Sequence, residues 1–136
     1  MRLLSPILRE LAPAGCDTGR SLTLFCPGCK ETHSVNVEPS RAYPGTPVWD
    51  WNGDAERPTF TPSILVTSGH HVQGHKPGDP CWCTYKAENP EDPVPFNCGV
   101  CHSFVAQGQW QFLSDCTHAL AGQTVPIPPY PEVKSL

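Results

Sequence analysis

The sequence has few charged residues and no concentrated run of them. Asp, Glu, Lys and Arg together make up 16% of the 136 residues, and the formal net charge is −4. Average globular proteins carry roughly 25% charged residues. The basic residues are scattered along the chain, so a surface that grips a phosphate backbone is not expected. Direct binding of nucleic acid is therefore disfavoured.

Long apolar runs are also absent. No stretch approaches the roughly 20 apolar residues that a membrane-spanning helix needs, so no membrane association is expected. In the N-terminal sequence MRLLSPILRELAPAGC, Pro6, Arg9 and Glu10 interrupt the apolar residues, which argues against a secretory signal. We expect a protein that acts in the cytoplasm of a host bacterium, where thiols stay reduced and clustered cysteines bind metal more often than they form disulfides.

Familiar catalytic motifs are missing as well. The chain has no HExxH zinc-protease motif, no nucleophile elbow, no phosphate-binding loop and no deaminase signature of the His-x-Glu…Pro-Cys-x-x-Cys type. This absence favours a binding module over an enzyme and leaves catalysis open.

Proline and cysteine, by contrast, are abundant, with 17 and 8 residues. Proline resists helix interiors and central strands, which excludes a helical bundle, a coiled coil and a doubly wound sheet. We predict a small, loop-rich, zinc-stapled β-rich single domain, either all-β or α+β with one or two short helices. Residues 1–20 would form an arm or a short helix, 21–128 the domain and 129–136 a Pro-rich tail.

Local patterns predict several elements. Strands are expected on both sides of the Cys-Pro-Gly-Cys turn, and Pro62 requires an edge position or a bulge in the strand around it. Gln107-Gly108 predicts a two-residue hairpin that pairs 106 with 109, 103 with 112 and 101 with 114. A one-turn helix is expected over residues 118–122, and residues 68–100 are expected to be mostly loop. Trp49 and Trp51 should point to opposite faces of a short strand, one into the core and one exposed.

The cysteines predict metal binding because they fall in closely spaced pairs. The pairs are Cys26 and Cys29, Cys81 and Cys83, Cys98 and Cys101, and Cys116 stands close to His118. Two CxxC turns in a short chain suit tetrahedral Zn²⁺. Cys16 stands alone and is expected to be a free thiol.

Two divisions of these ligands into zinc sites are open. In the first, Cys26, Cys29, Cys101 and Cys116 form one site, with His102 or His118 as substitutes. The remaining ligands would then form a second site, from Cys81, Cys83 and Cys98 with one of His70, His71 or His75. In the other, Cys81, Cys83, Cys98 and Cys101 form a four-sulfur site, and Cys26 and Cys29 take Cys116 or His118. Trp82, between two cysteines, would shield a metal.

Histidines supply the candidates for catalysis. His33, His102 and His118 would converge if metal ties their neighbours together, and Asp115, Asp54 or Glu56 would supply a carboxylate. An open zinc needs only three protein ligands and keeps a position for water. The competing interpretation is that each of these histidines is a structural ligand or fixes a turn.

Several motifs together resemble a family of small bacteriophage and prophage proteins without an assigned activity, some of which carry an ammonia monooxygenase label. The motifs are LFCPGC…H, WNGDAERPTFTPSILVTSG, CHSFV and QFLSDCTHALAGQTV, and they span about Leu22 to Pro128. The resemblance implies a phage origin. It also directs attention to these positions: Cys26, Cys29, His33, Cys101, His102, Cys116 and His118. No membrane segment matches the monooxygenase label.

From the sequence we therefore expect a phage-encoded zinc-binding module that engages a protein of the infected host or of the phage. One alternative is a zinc-dependent hydrolase or a protein that sequesters a small molecule. The other is a minor head or tail component of the virion.

Overall fold

Two antiparallel sheets make up most of the protein in the computed structural model, which describes residues 2–11, 19–39, 45–94 and 96–131. The first sheet contains β1 (Arg2–Leu3), β2 (Arg9–Leu11), β3 (Arg20–Cys26) and β4 (Glu31–Glu38), in that order. The second contains β5 (Asp50–Trp51), β6 (Phe60–Ser68), β7 (Gly99–Ala106), β8 (Gln109–Phe112) and β9 (Thr124–Pro126). Each strand pairs with its neighbour in sequence. The prediction of a small β-rich fold is confirmed.

The core joins the two sheets. Leu22 and Leu24 of the first sheet and Val105 and Trp110 of the second belong to one buried cluster. The Trp110 indole Nε1 donates a hydrogen bond across the core to the carbonyl oxygen of Phe25 at 3.0 Å. Buried tryptophans usually find such a partner for the indole N–H, and this one fixes β8 against β3.

The β7–β8 hairpin forms in the predicted register. Ser103 pairs with Phe112 and Ala106 with Gln109. Gln107 and Gly108 both have positive φ, 51° and 77°, as the twist-compatible type I′ turn requires.

Pro62 is accommodated by an irregularity in β6. The pairing of β6 with β7 shifts between Phe60 and Ile64, so that three residues, 61–63, lie opposite the single residue Phe104 of β7. A bulge frees Pro62 from donating a hydrogen bond and bends the strand.

Three expectations differ from the structure. Residues expected as an arm or short helix contribute β1 and β2 to the first sheet. The one-turn helix over 118–122 is instead a series of turns, closed by bonds from Ala121 N to His118 O and from Gln123 N to Leu120 O. The α-helix α1 (Trp82–Glu88) lies in the segment expected to be loop, preceded by a 3₁₀ turn over Gly69–His71.

The expectation of opposite faces for Trp49 and Trp51 is wrong, because residues two apart in a strand lie on the same face. Both tryptophans are half-buried against the core. In the described part of the chain, no helix is both long and apolar enough to cross a membrane. Cys16 and residues 132–136 of the predicted tail lie outside the described residues.

Candidate functional site

Four side chains that could bind a metal ion meet between the two sheets. This sheet cluster consists of Cys26, Cys29, His33 and Cys101, whose ligand atoms all lie within 4.8 Å of one another. The Cys-Pro-Gly-Cys turn closes β3 onto β4 and supplies the first two sulfurs. Cys101 reaches them from β7 of the other sheet, with its Sγ 3.9 Å from that of Cys26. The cluster therefore ties the two sheets together.

The thiols of the sheet cluster perturb one another strongly. Hydrogen bonds from Cys101 and Cys29 hold the pKa of Cys26 far below its usual range. The same contact with Cys26 raises the pKa of Cys101 far above its usual range. These opposite shifts follow from the close contact of the sulfurs, and a metal bound by all of them would require every thiol to lose its proton.

A second group lies in the long segment between β6 and β7. This loop cluster consists of His70, Cys81, Cys83 and Cys98, again with all ligand atoms within 4.8 Å. Helix α1 positions Cys81 and Cys83, the 3₁₀ turn positions His70, and Cys98 directly precedes β7. Gly69 is required here because it has a φ of 61° and an added Cβ would collide with Cys98. His71 and His75 lie outside the cluster.

A third group shares Cys101 with the sheet cluster. Cys101, Cys116 and His118 also lie within 4.8 Å of one another. The imidazole of His118 covers the Cys-Pro-Gly-Cys turn, where it occupies the space that a Cβ on Gly28 would need. The structure therefore groups Cys116 with Cys101 and His118, whereas the first predicted division placed it with Cys26 and Cys29.

His102 belongs to none of these clusters and forms a hydrogen-bonded chain with two other side chains. Its Nε2 lies 3.1 Å from Ser63 Oγ, and its Nδ1 lies 3.0 Å from Asp115 Oδ2. The imidazole can accept the Ser63 hydroxyl proton only at Nε2 while Nδ1–H donates to the carboxylate. Ser63, His102 and Asp115 thus form a Ser–His–Asp triad, the arrangement that activates a serine for nucleophilic attack.

The two strands that carry the triad explain its geometry. Leu65 of β6 pairs directly with His102 of β7, and Ser63 lies two residues before Leu65 on the same face. The serine and the histidine are therefore diagonal neighbours across an antiparallel pair, within reach of long side chains. The bulge at Pro62 turns Ser63 towards His102. Asp115 follows β8, in the turn that comes back over the start of β7, where Thr117 N donates to Val100 O at 2.9 Å.

The surroundings of the triad are open. The side chain of His102 is 27% exposed and that of Asp115 is 57% exposed. A cavity of about 420 Å³ lies elsewhere, between the sheet and loop clusters, and is lined by Trp82, Phe96, Cys98, Cys101 and His118 among others. No triad residue lines this cavity.

Comparison with known proteins gives one family. The family described as the bacterial ubiquitination-like system serine protease (BubE) matches residues 9–113. The chain belongs to this BubE family. The match includes Ser63 and His102 and ends two residues before Asp115. No curated protein and no solved structure matches the chain.

Membership of the BubE family corrects the functional prediction. The expected function, a phage-encoded zinc-binding module acting in the infected host, is wrong, because the matched family is a serine protease of a bacterial system. The same finding overturns both alternatives, the zinc-dependent hydrolase or sequestering protein and the virion component. The viral and bacteriophage assignments conflict with it too. The family that matches is BubE; the expected family of phage proteins without an assigned activity is not confirmed, and phage origin is not shown.

Sequence reasoning named two members of the triad and missed the third. His102 and Asp115 were candidates, with Asp115 considered as a base beside an open zinc. Ser63 was not considered, although it lies in the PTFTPSILV motif that carried the family resemblance. The available signal was Pro62, because a bulge in a strand often re-aims a side chain at an active site. His33 and His118 lie in the metal-binding groups rather than beside the serine.

Proposed function

We propose that this chain hydrolyses a peptide bond with Ser63 as nucleophile, His102 as general base and Asp115 as the residue that orients the imidazole. The single observation that carries the proposal is the continuous contact from Ser63 Oγ through His102 to Asp115, at 3.1 Å and 3.0 Å. Family membership supports the same chemistry. Because the family description names a ubiquitination-like system, a protein is the substrate class that we propose.

The proposed reaction has two halves. Ser63 Oγ attacks the scissile carbonyl carbon as His102 Nε2 takes the hydroxyl proton, and the C–N bond then breaks as the imidazolium returns that proton to the leaving amine. Water next attacks the resulting acyl ester with His102 again as base, which releases the acid and restores Ser63. Asp115 keeps its negative charge throughout and stabilises the imidazolium.

The chain order Ser–His–Asp differs from the orders in chymotrypsin and subtilisin, but a triad is recognised by geometry and roles, not by sequence position. An alternative role for the three residues is a polar contact that only joins β6, β7 and the turn after β8. The two roles predict different reactivity for Ser63. A catalytic Ser63 would be a strong nucleophile, whereas a purely structural hydroxyl would be a weak one.

A fluorophosphonate probe tests this difference, because it modifies activated serines without needing a known substrate. We expect mass spectrometry to find the adduct at Ser63, and Ser103, which is fully buried, to stay unmodified. His102→Ala should abolish the adduct while the chain remains folded. An unmodified Ser63, or equal modification in His102→Ala, would contradict the proposal.

We also propose that the sheet cluster binds a structural Zn²⁺. Four ligands at about 2.3 Å in a tetrahedron place two sulfurs roughly 3.8 Å apart, and the Cys26 and Cys101 sulfurs are 3.9 Å apart. His33 is 4% exposed, and its Nε2 is buried without a hydrogen-bond partner. A buried imidazole nitrogen without a partner is costly, and metal coordination would satisfy it.

His33 is a better fourth ligand than Cys116. The Cys116 sulfur already accepts a hydrogen bond from His102 N at 3.2 Å and donates one to His102 O at 3.1 Å. His118 Nε2, which is also buried without a partner, belongs to the overlapping group and is the competing ligand. A sulfur-rich site with four protein ligands has no position for water, so the metal would hold the sheets together and take no part in hydrolysis.

The loop cluster completes the zinc proposal, since its three sulfurs and one imidazole are a common structural zinc set. Native mass spectrometry should then detect two zinc ions per chain. His33→Ala should lose one of them, whereas Cys116→Ser should keep both. Absence of zinc from the purified protein, or loss only in Cys116→Ser, would contradict this assignment.

A further inference from the structure

Two large apolar side chains lie exposed on the face that carries the triad. Leu65 is 58% exposed and Phe104 is 42% exposed. Single exposed apolar residues are common on protein surfaces, so exposure alone implies nothing. These two, however, flank the catalytic serine and histidine.

The strand register places them there. Leu65 is the direct partner of His102, and Ile64 is the partner of Ser103. The pairing shifts between Phe60 and Ile64, so Phe104 lies opposite the bulge of residues 61–63, which ends at Ser63. Side chains alternate between faces along a strand, which puts Ser63, Leu65, His102 and Phe104 on one face. These four residues form a quadrilateral across the two strands. Ser63 and His102, which are hydrogen-bonded, occupy two opposite corners. Leu65 and Phe104 occupy the other two.

Burial confirms which face this is. Along β7 the intervening residues Cys101, Ser103 and Val105 are buried, while His102 and Phe104 face outwards. A peptide whose carbonyl carbon approaches Ser63 Oγ lies on this face, where Leu65 and Phe104 are the exposed apolar side chains. No charged residue stands between these two side chains and the serine in the strand register.

We propose that the substrate of this site carries large apolar side chains next to the scissile bond, and that Leu65 and Phe104 form the surface that receives them. This inference rests on the proposed protease function and specifies its substrate class. Apolar contact removes both partners from water, and the two side chains would be covered only when a substrate is bound. Polar side chains at the same substrate positions would gain no binding free energy from contact with Leu65 and Phe104.

The test uses the purified full chain and a mixture of unstructured peptides. Mass spectrometry of the products identifies the preferred site, and a peptide with Leu at the flanking positions is then compared with one that has Ser there. A pocket contact of this size changes kcat/KM by about tenfold or more. We expect at least that preference for the Leu peptide.

Leu65→Thr and Phe104→Thr should each lower kcat/KM for the Leu peptide by about tenfold, on the same scale, and leave the Ser peptide almost unchanged. Fluorophosphonate labelling of Ser63 should persist in both variants, because the probe does not need the apolar surface. Leu3→Thr is the matched control, since Leu3 is 63% exposed on β1 of the other sheet.

Two results would overturn the inference, and they have different consequences. If Ser63 is labelled but the variants keep the full preference for the Leu peptide, the apolar surface is wrong and the triad stands. If Ser63 is not labelled in the unmodified chain, the protease proposal fails together with this inference.

Discussion

The thiol of Cys116 forms hydrogen bonds with both the backbone N–H and the backbone carbonyl of His102. Its sulfur lies 3.2 Å from the His102 nitrogen and 3.1 Å from the His102 oxygen. Cys116 follows Asp115, the residue whose carboxylate meets the His102 side chain. The turn after β8 is thus joined to one residue of β7 through backbone and side chain alike, and this double contact sets where the carboxylate stands.

The position of the carboxylate leads to a first prediction. Asp115→Asn should keep the fold but remove the charge that orients and stabilises the imidazolium, and the corresponding change in a known triad lowers kcat about 10⁴-fold. Because Asp115 is more than half exposed, we expect a smaller loss, on the order of 10²-fold. Steady-state peptide hydrolysis measures it. Asp79→Asn in an exposed turn is the control, and equal rates for the two variants would contradict the role of Asp115.

A second prediction concerns His70 in the loop cluster. His70→Ala should lower the zinc content by one ion per chain, since His70 is the nitrogen ligand of that cluster. His71 is adjacent, and its ring lies 4.2 Å from that of His70, but it is outside the cluster. His71→Ala should therefore keep both ions in native mass spectrometry. Zinc loss in both variants alike would show that His70 is not a specific ligand.

The third prediction concerns the hydrogen bond across the core. Trp110→Phe removes the N–H donor to Phe25 O. It also leaves a cavity in the core, because the smaller phenyl ring does not fill the space of the fully buried indole. Together these losses should lower the free energy of unfolding by about 2–4 kcal/mol. Chemical denaturation of the metal-loaded protein measures it. Trp82→Phe, at a half-buried position on α1, should cost clearly less. Similar losses would mean that Trp110 does not join the sheets.

The hairpin turn provides a fourth prediction. Gln107 has a φ of 51°, where a residue with a Cβ is strained by roughly 1–2 kcal/mol. Glycine relieves this strain but loses more entropy on folding, so Gln107→Gly should stabilise the protein by about 0.5 kcal/mol. Gln109→Gly, in the strand that follows, should destabilise it by about 0.5–1 kcal/mol. Thermal unfolding measures the stability of both variants. If Gln107→Gly and Gln109→Gly change the stability in the same direction, the turn assignment is contradicted.

The sequence predicted the features that depend on neighbouring residues. The hairpin register follows from a two-residue turn at Gln107-Gly108, and the bulge in β6 follows from Pro62. Helix α1 was missed because it is short and lies between proline-rich segments. Its start is marked by Thr84, whose hydroxyl accepts a hydrogen bond from Cys81 N, and that signal was present in the sequence.

The triad could not be assembled from the sequence because its members meet through long-range pairing. No turn or motif spacing links β6 to β7, since the long segment with α1 separates them. The metal groups were easier to anticipate because paired cysteines are a local signal. The choice between His33 and Cys116 depends on packing between the sheets, which is not a local property.

The most direct test of the central claim is cleavage of the peptide mixture by Ser63→Ala. The account predicts that the unmodified chain cleaves peptides and that this variant loses about 10³-fold or more of the rate, with unchanged zinc content and unfolding free energy. Ser68→Ala, at the end of the same strand, should retain the activity. Cleavage by Ser63→Ala at the rate of the unmodified chain would contradict the account.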